Sequence, residues 1–170
     1  MQQLLEKLKN ISIEGRMAFI IMCIESYLIT QCPYKDWSPL SEQMWKVTNS
    51  YWDEWLHDFI EIIPECVMTE TDTENTKYNT FKKLYKNLPP NTLNDINALL
   101  NALEEMVELF VYTTAFMENT SLDIIKEIVN NYLQKKRIAI PDVNKVTFSK
   151  FEENDGLGKR FDGKYLSIIL

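Results

Sequence analysis

The single histidine, His57, follows Glu54 by three residues, and Glu-x-x-His is the ligand unit of carboxylate-bridged di-metal helix bundles. Such a centre needs that unit on two helices, because the two ions share their ligands symmetrically, and the chain has no second histidine. His57 with Asp58 and Glu61 is a donor set for one ion at most, and a lone histidine beside acids on a helix reads as structural. Nucleophilic catalysis lacks partners for the same reason: one histidine and no Gly-x-Ser-x-Gly turn. The run from Gly156 to Gly163 is glycine-rich, but it lacks the Gly-Lys-Ser/Thr ending and the following helix of a phosphate-binding loop. Cys23, Cys32 and Cys66 form no Cys-x-x-Cys pair, which argues against structural zinc, and an odd, widely spaced set fits a reducing compartment.

Carboxylates are the richer material. Glu104, Glu105 and Glu108 lie within one helical turn, and acids three apart share a helix face suited to a hard cation. The pattern resembles half of the magnesium site of all-α nucleotide pyrophosphohydrolases. The other half needs an acidic pair on the next helix, where Asp123 and Glu127 have the wrong spacing. Magnesium-dependent nucleotide hydrolysis is therefore the weakest of the alternatives. No cofactor, no metal and no enzymatic activity are expected.

The net charge is −7, from 25 acids against 18 bases. Duplex-binding proteins draw most of their affinity from cationic contacts to phosphate, so a nucleic-acid partner is not expected. The charges are also segregated. Residues 36–76 hold ten acids and one base, Lys46; residues 91–123 hold six acids and no base. Between them stand Lys77, Lys82, Lys83 and Lys86. The densest acidic stretch lies at 53–74, where Glu54/Asp58 and Asp58/Glu61 are like-charge neighbours on a helix with no nearby base in sequence to offset them. Asp53, Glu54, Asp58, Glu61 and Glu65, with Trp55 as a partly exposed aromatic anchor, form the candidate partner-binding surface. A basic protein is the partner such a surface suits, since complementary fields speed encounter.

These residues must be positioned by helices. Only Gly15 interrupts the first 155 residues as a glycine, and the apolar positions recur at helical spacing. Residues 2–9 read as a first helix. Ser12 caps a second that runs to about Leu28 and is buried on most sides. Ser38-Pro39 opens a third, on which Trp45, Trp52 and Trp55 share a face, with a break near Asp58 and a further start or bend at Pro64. Residues 69–76 have no apolar member and read as a loop. A helix with Phe81, Leu84 and Tyr85 ends at Pro89-Pro90. Thr92 caps the longest helix, to about Met117, and Ser121 caps one ending near Lys136. The expectation is a single all-α domain of six or seven helices, with a helical body over about 1–137 and an irregular C-terminal arm over about 138–170. Phe148, Phe151, Phe161 and Leu166–Leu170 are expected to dock that arm on the body. The longest apolar run, Met17–Ile24, is too short to span a bilayer, no signal-peptide cleavage pattern follows it, and a cytoplasmic protein without a membrane partner is expected.

Both ends of the chain carry a likeness. The opening Leu4-Leu5-Glu-Lys-Leu8 through Ser12, Arg16 and Phe19, followed by Cys23-Ile-Glu25, resembles the start of a family of all-α bacterial immunity proteins encoded beside polymorphic toxins. The segment Phe148-Ser-Lys-Phe151 through Gly156-Leu-Gly158-Lys-Arg-Phe161-Asp-Gly163 resembles that family's close, with Leu157 where an aromatic residue is expected. The tryptophan-rich third helix is similar too. The resemblance implies a non-enzymatic protein that binds a cognate toxin, a nuclease being the common kind, and blocks its basic active surface. The competing reading is a helical adaptor or regulatory subunit whose acidity serves solubility alone.

Overall fold

Ser12 closes the N-terminus of the most deeply buried helix, its hydroxyl accepting a hydrogen bond from the Gly15 amide at 3.2 Å. In the computed structural model, which describes residues 1–69, 76–112 and 118–170, that helix is α2, Ile13–Gln31. It is buried from Ile13 to Glu25 and again at Tyr27 and Leu28, enclosing three charged-type side chains, Glu14, Arg16 and Glu25, among its apolar ones. Pro33 disfavours helical backbone at Cys32, and the helix stops at Gln31, three residues beyond the expected end.

Around α2 stand α1 (Gln2–Lys9), α3 (Ser38–Trp45), α4 (Trp52–Ile60), α5 (Pro64–Thr69), α6 (Thr76–Tyr85), α7 (Pro90–Tyr112) and α8 (Glu118–Ile128). The fold is all-α: 72% of the described residues are helical, 3₁₀ and wider turns included, and no strand occurs among them. Eight α-helices are described, against the six or seven expected. α7 packs across α2, α4, α5 and α8 through Ile96, Leu99, Leu100, Leu103, Met106 and Val107, the stripe its sequence spacing marks out. It starts at Pro90 rather than after Thr92, because proline suits the first helical turn, where its missing N–H costs nothing. Its expected last residues, 113–117, and residues 70–75 of the expected loop lie outside the described residues.

Two expectations need correction. Ser121 does not cap α8; it lies inside the helix, buried, and accepts a 2.6 Å hydrogen bond from the guanidinium of Arg16, itself fully enclosed. Arg16 also donates to the carbonyls of Leu8 and Lys9, so one side chain ties the end of α1 and the start of α2 to α8. The three tryptophans do not share one helix. After Trp45 the chain tightens into a 3₁₀ turn, Lys46–Asn49, becomes extended at Ser50 and Tyr51, and restarts as α4. Thr48 explains the break. Its hydroxyl donates to the Trp45 carbonyl and accepts from the Gly163 amide, while its carbonyl accepts from Phe161, so the backbone groups that would continue α3 serve other partners.

Gly163 and Phe161 belong to the C-terminal arm. After α8 and a wider helical turn, Val129–Gln134, the arm buries Val143 and Val146 and pairs with residue 11 through an isolated antiparallel bridge, Ile11 to Lys150. It then crosses the start of α2, where the Glu14 amide donates to the Leu157 carbonyl. Leu166 is buried, Phe151 and Phe161 are half-buried, and Phe148, Ile168 and Leu170 remain 46%, 48% and 45% exposed. The arm docks, then, mainly by backbone hydrogen bonds and close approach rather than by all of its large apolar side chains.

The closest approach is at Gly158. Its φ is +85°, and a Cβ there would lie 2.2 Å from Ser12 Oγ. Gly158→Ala combines left-handed strain, costing about 1–2 kcal/mol, with an intrusion on the α2 cap, costing about 1–3 kcal/mol. Urea unfolding should show a loss of about 2–5 kcal/mol, and an unchanged midpoint would mean that the arm does not lie on α2 in this way.

Candidate functional site

Asp53 and Glu54 occupy the first turn of α4 and are exposed. That position lets the positive end of the helix dipole offset part of their mutual repulsion. Glu54 and Asp58 line a small notch of about 110 Å³ shared with Gln43, Lys46 and Ser50. Trp55, the expected exposed anchor, is buried at 4% exposure. Its indole N–H donates to the Gln43 carbonyl at 2.8 Å and its ring stacks on Phe59 at 4.3 Å. It therefore holds α4 against α3, and that expectation is corrected.

The structure also supplies the base that the sequence lacks locally. Lys77, from α6, reaches Glu61 at 2.9 Å and Asp58 at 3.5 Å. Glu65 is held differently: its carboxylate accepts from the Asn97 amide at 2.8 Å while Asn97 Oδ1 accepts from the Glu65 backbone at 3.0 Å, docking α5 on α7. Of the candidate acids, Asp58, Glu61 and Glu65 have partners in the fold, whereas Asp53 and Glu54 stand free of side-chain partners among the described residues.

The docking of α5 on α7 brings the two acidic segments of the sequence onto one surface. Cys66, half-buried beside Glu65, has its thiol pushed upward by burial and then by the negative charges of Glu65, Glu104 and Glu61. Glu104 is raised by burial and then by Glu108, Glu105 and Glu65. Glu104 thus meets acids of its own helix, Glu105 and Glu108, and of α5, Glu65, at the α7 edge. The carboxylate spacing on α7 marks this edge in the sequence; its meeting with Glu65 is set by the tertiary fold. His57 is exposed near the end of α4. No cluster of three or more His, Cys, Asp or Glu groups able to hold a metal ion occurs among the described residues, and no described helix is long and apolar enough to cross a membrane.

No family model, no curated protein and no solved structure matches the chain. The likeness of its two ends to immunity proteins rests on those residues alone.

The pairing of Lys77 separates acids that look equivalent in sequence. Glu54→Lys should leave stability within about 0.5 kcal/mol of the parent, as for other unpaired surface sites. Glu61→Lys places a cation against Lys77 and should cost about 0.5–1 kcal/mol, in the range of an exposed ion pair. Chemical denaturation of the two variants at low salt checks the order; equal effects would mean that Lys77 does not discriminate between the two acids.

Proposed function

We propose that this chain is a non-enzymatic immunity-type protein. On this reading it binds a cognate toxin through its acidic face and covers the toxin's basic active surface, a surface of the kind a nuclease uses to hold phosphate. The observation that carries the reading is the convergence of two acidic segments, distant in sequence, at the α5–α7 contact, where Glu104 is shifted upward by its burial first and then by the charges of Glu108, Glu105 and Glu65. A face under stability selection alone would interleave lysines at those positions. Glu105 and Glu108 extend it along α7, and Asp53 and Glu54 add exposed acids on α4. Steering by such a field speeds association and fixes orientation, while the apolar contacts of a partner supply most of the affinity.

The test is charge reversal at exposed, unpaired positions, Glu54→Lys, Glu105→Lys and Glu108→Lys together, co-expressed with a cognate toxin domain sought among the genes adjacent to the one for this chain. The variant should fold and yet fail to protect, and its association rate should fall about tenfold or more at low salt, with the difference shrinking as salt screens the field. Full protection and an unchanged association rate at every ionic strength would remove this face as the interface.

A further inference from the structure

α7 and α8 meet along a groove of about 260 Å³. Ala98, Asn101, Ala102 and Glu105 line it from α7 at the i, i+3, i+4, i+7 spacing of one helix face. Two of these are alanines, on a helix whose buried positions carry isoleucine, leucine, methionine and valine, and the missing bulk is what leaves the groove open. From α8 come Ile124 and Ile128, both buried, and Glu127, which is exposed. Tyr132, in the wider turn after α8, lines both this groove and the adjoining cleft that holds Asp95.

The walls carry charge of one sign. Glu105 and Glu127 face the groove from different helices, and no lysine or arginine lines it. The lysines nearest in sequence serve other places. Lys126 lines a cleft against α1, and Lys135 the cleft of Asp95. Lys136 holds Asp95 at 2.5 Å and lies over the Tyr27 ring. Among the described residues, Asn101, Glu105, Glu127 and Tyr132 make no side-chain hydrogen bond or ion pair within the fold, so their acceptors are open to a partner. Burial, then the charges of Asp95 and Glu127, raise the Tyr132 phenol, which stays a neutral hydroxyl on a π face.

These features fix the chemistry of an occupant. An apolar floor flanked by carboxylates suits an aliphatic stem ending in a cation. The volume falls below the about 300–1,000 Å³ of small-molecule sites and fits one side chain of a larger partner. Acceptors on two helices beside an aromatic ring favour a guanidinium, which presents donors in a planar fork and stacks on rings, over the point charge of an ammonium. Glu105 belongs also to the acidic α7 edge with Glu104 and Glu108, so the groove continues that edge and one partner can reach both.

We propose that the α7–α8 groove receives an arginine side chain of the partner protein, its stem on Ala98, Ala102 and Ile124 and its guanidinium held by Glu105 and Glu127. That the partner is a toxin rests on the reading above; the chemistry of the groove does not.

The experiment is titration of the ¹⁵N-labelled protein with Nα-acetyl-argininamide at low salt. The backbone amides of Ala102, Glu105 and Glu127 should shift saturably. The lysine analogue should bind more weakly, and the uncharged citrulline analogue, which has nearly the same shape, should not bind. Glu127→Gln, at an exposed position, should weaken the arginine probe about fivefold, in the range of an exposed charge pair. Ala102→Leu fills the floor and should abolish binding with the helical circular-dichroism signal unchanged. No saturable shift at those amides, equal binding of the citrulline probe, or undiminished binding by both variants would each overturn the assignment. The probe assay contains no toxin, so its failure removes the groove and leaves the toxin reading to its own co-expression test. A chain that takes the probe but neutralises no toxin keeps the groove and loses that reading.

Discussion

The carboxylate of Glu25 is completely enclosed halfway along α2, and four donors converge on it. Ser41 Oγ and Trp45 Nε1, the latter at 2.7 Å, come from α3. Ser167 Oγ at 2.6 Å and the Ile168 amide at 2.9 Å come from the last four residues of the chain. A carboxylate left alone in such a place would cost several kcal/mol, and only charge-assisted bonds in good geometry offset that cost. The demand of one side chain for donors thus holds three segments together, and two of its donors lie more than 140 residues away along the chain.

Fixing both ends of the arm determines its course. Val143 and Val146 hold it at one end and Glu25 at the other, and between them it must cross Ser12, Thr48 and Trp45. Space at those crossings is found by omission of side chains. A Cβ on Gly163 would lie 2.5 Å from the Trp45 ring, the same ring whose N–H serves Glu25. The arm's capture of Thr48 separates α3 from α4 and so sets the direction in which Asp53 and Glu54 face. Its passage over Glu14 and Trp52 roofs the cleft that those two side chains line.

Helices whose reasons are local were legible in the sequence. The apolar periodicity of α2 and α7, the Ser12 cap and the carboxylate edge on α7 all arise from residues within a turn or two of each other. The break after Trp45 was not legible, because its cause, Gly163 and Phe161, lies more than a hundred residues downstream. Nor was the burial of Trp55, since a tryptophan among acids reads the same whether its ring faces solvent or Phe59. Ser121 has the sequence signature of a cap, and only the buried guanidinium of Arg16 shows why a serine sits inside a helix. Glu14 reads as an ordinary first-turn acid until the arm is laid over it. Lys77 lies 16 residues beyond Glu61, so the compensation of Asp58 and Glu61 belongs to the packing of α6 and not to either segment's own pattern.

Native-state hydrogen exchange of Glu25→Gln addresses the central claim most directly. Glutamine keeps the shape, but its amide nitrogen is a donor where the carboxylate offered an acceptor, so the four converging groups lose part of their partner. The account predicts that the Ile168 and Phe161 amides exchange at least about tenfold faster than in the parent, opening with the arm, while amides in the middle of α7 keep most of their protection. Unchanged protection of Ile168 would contradict it.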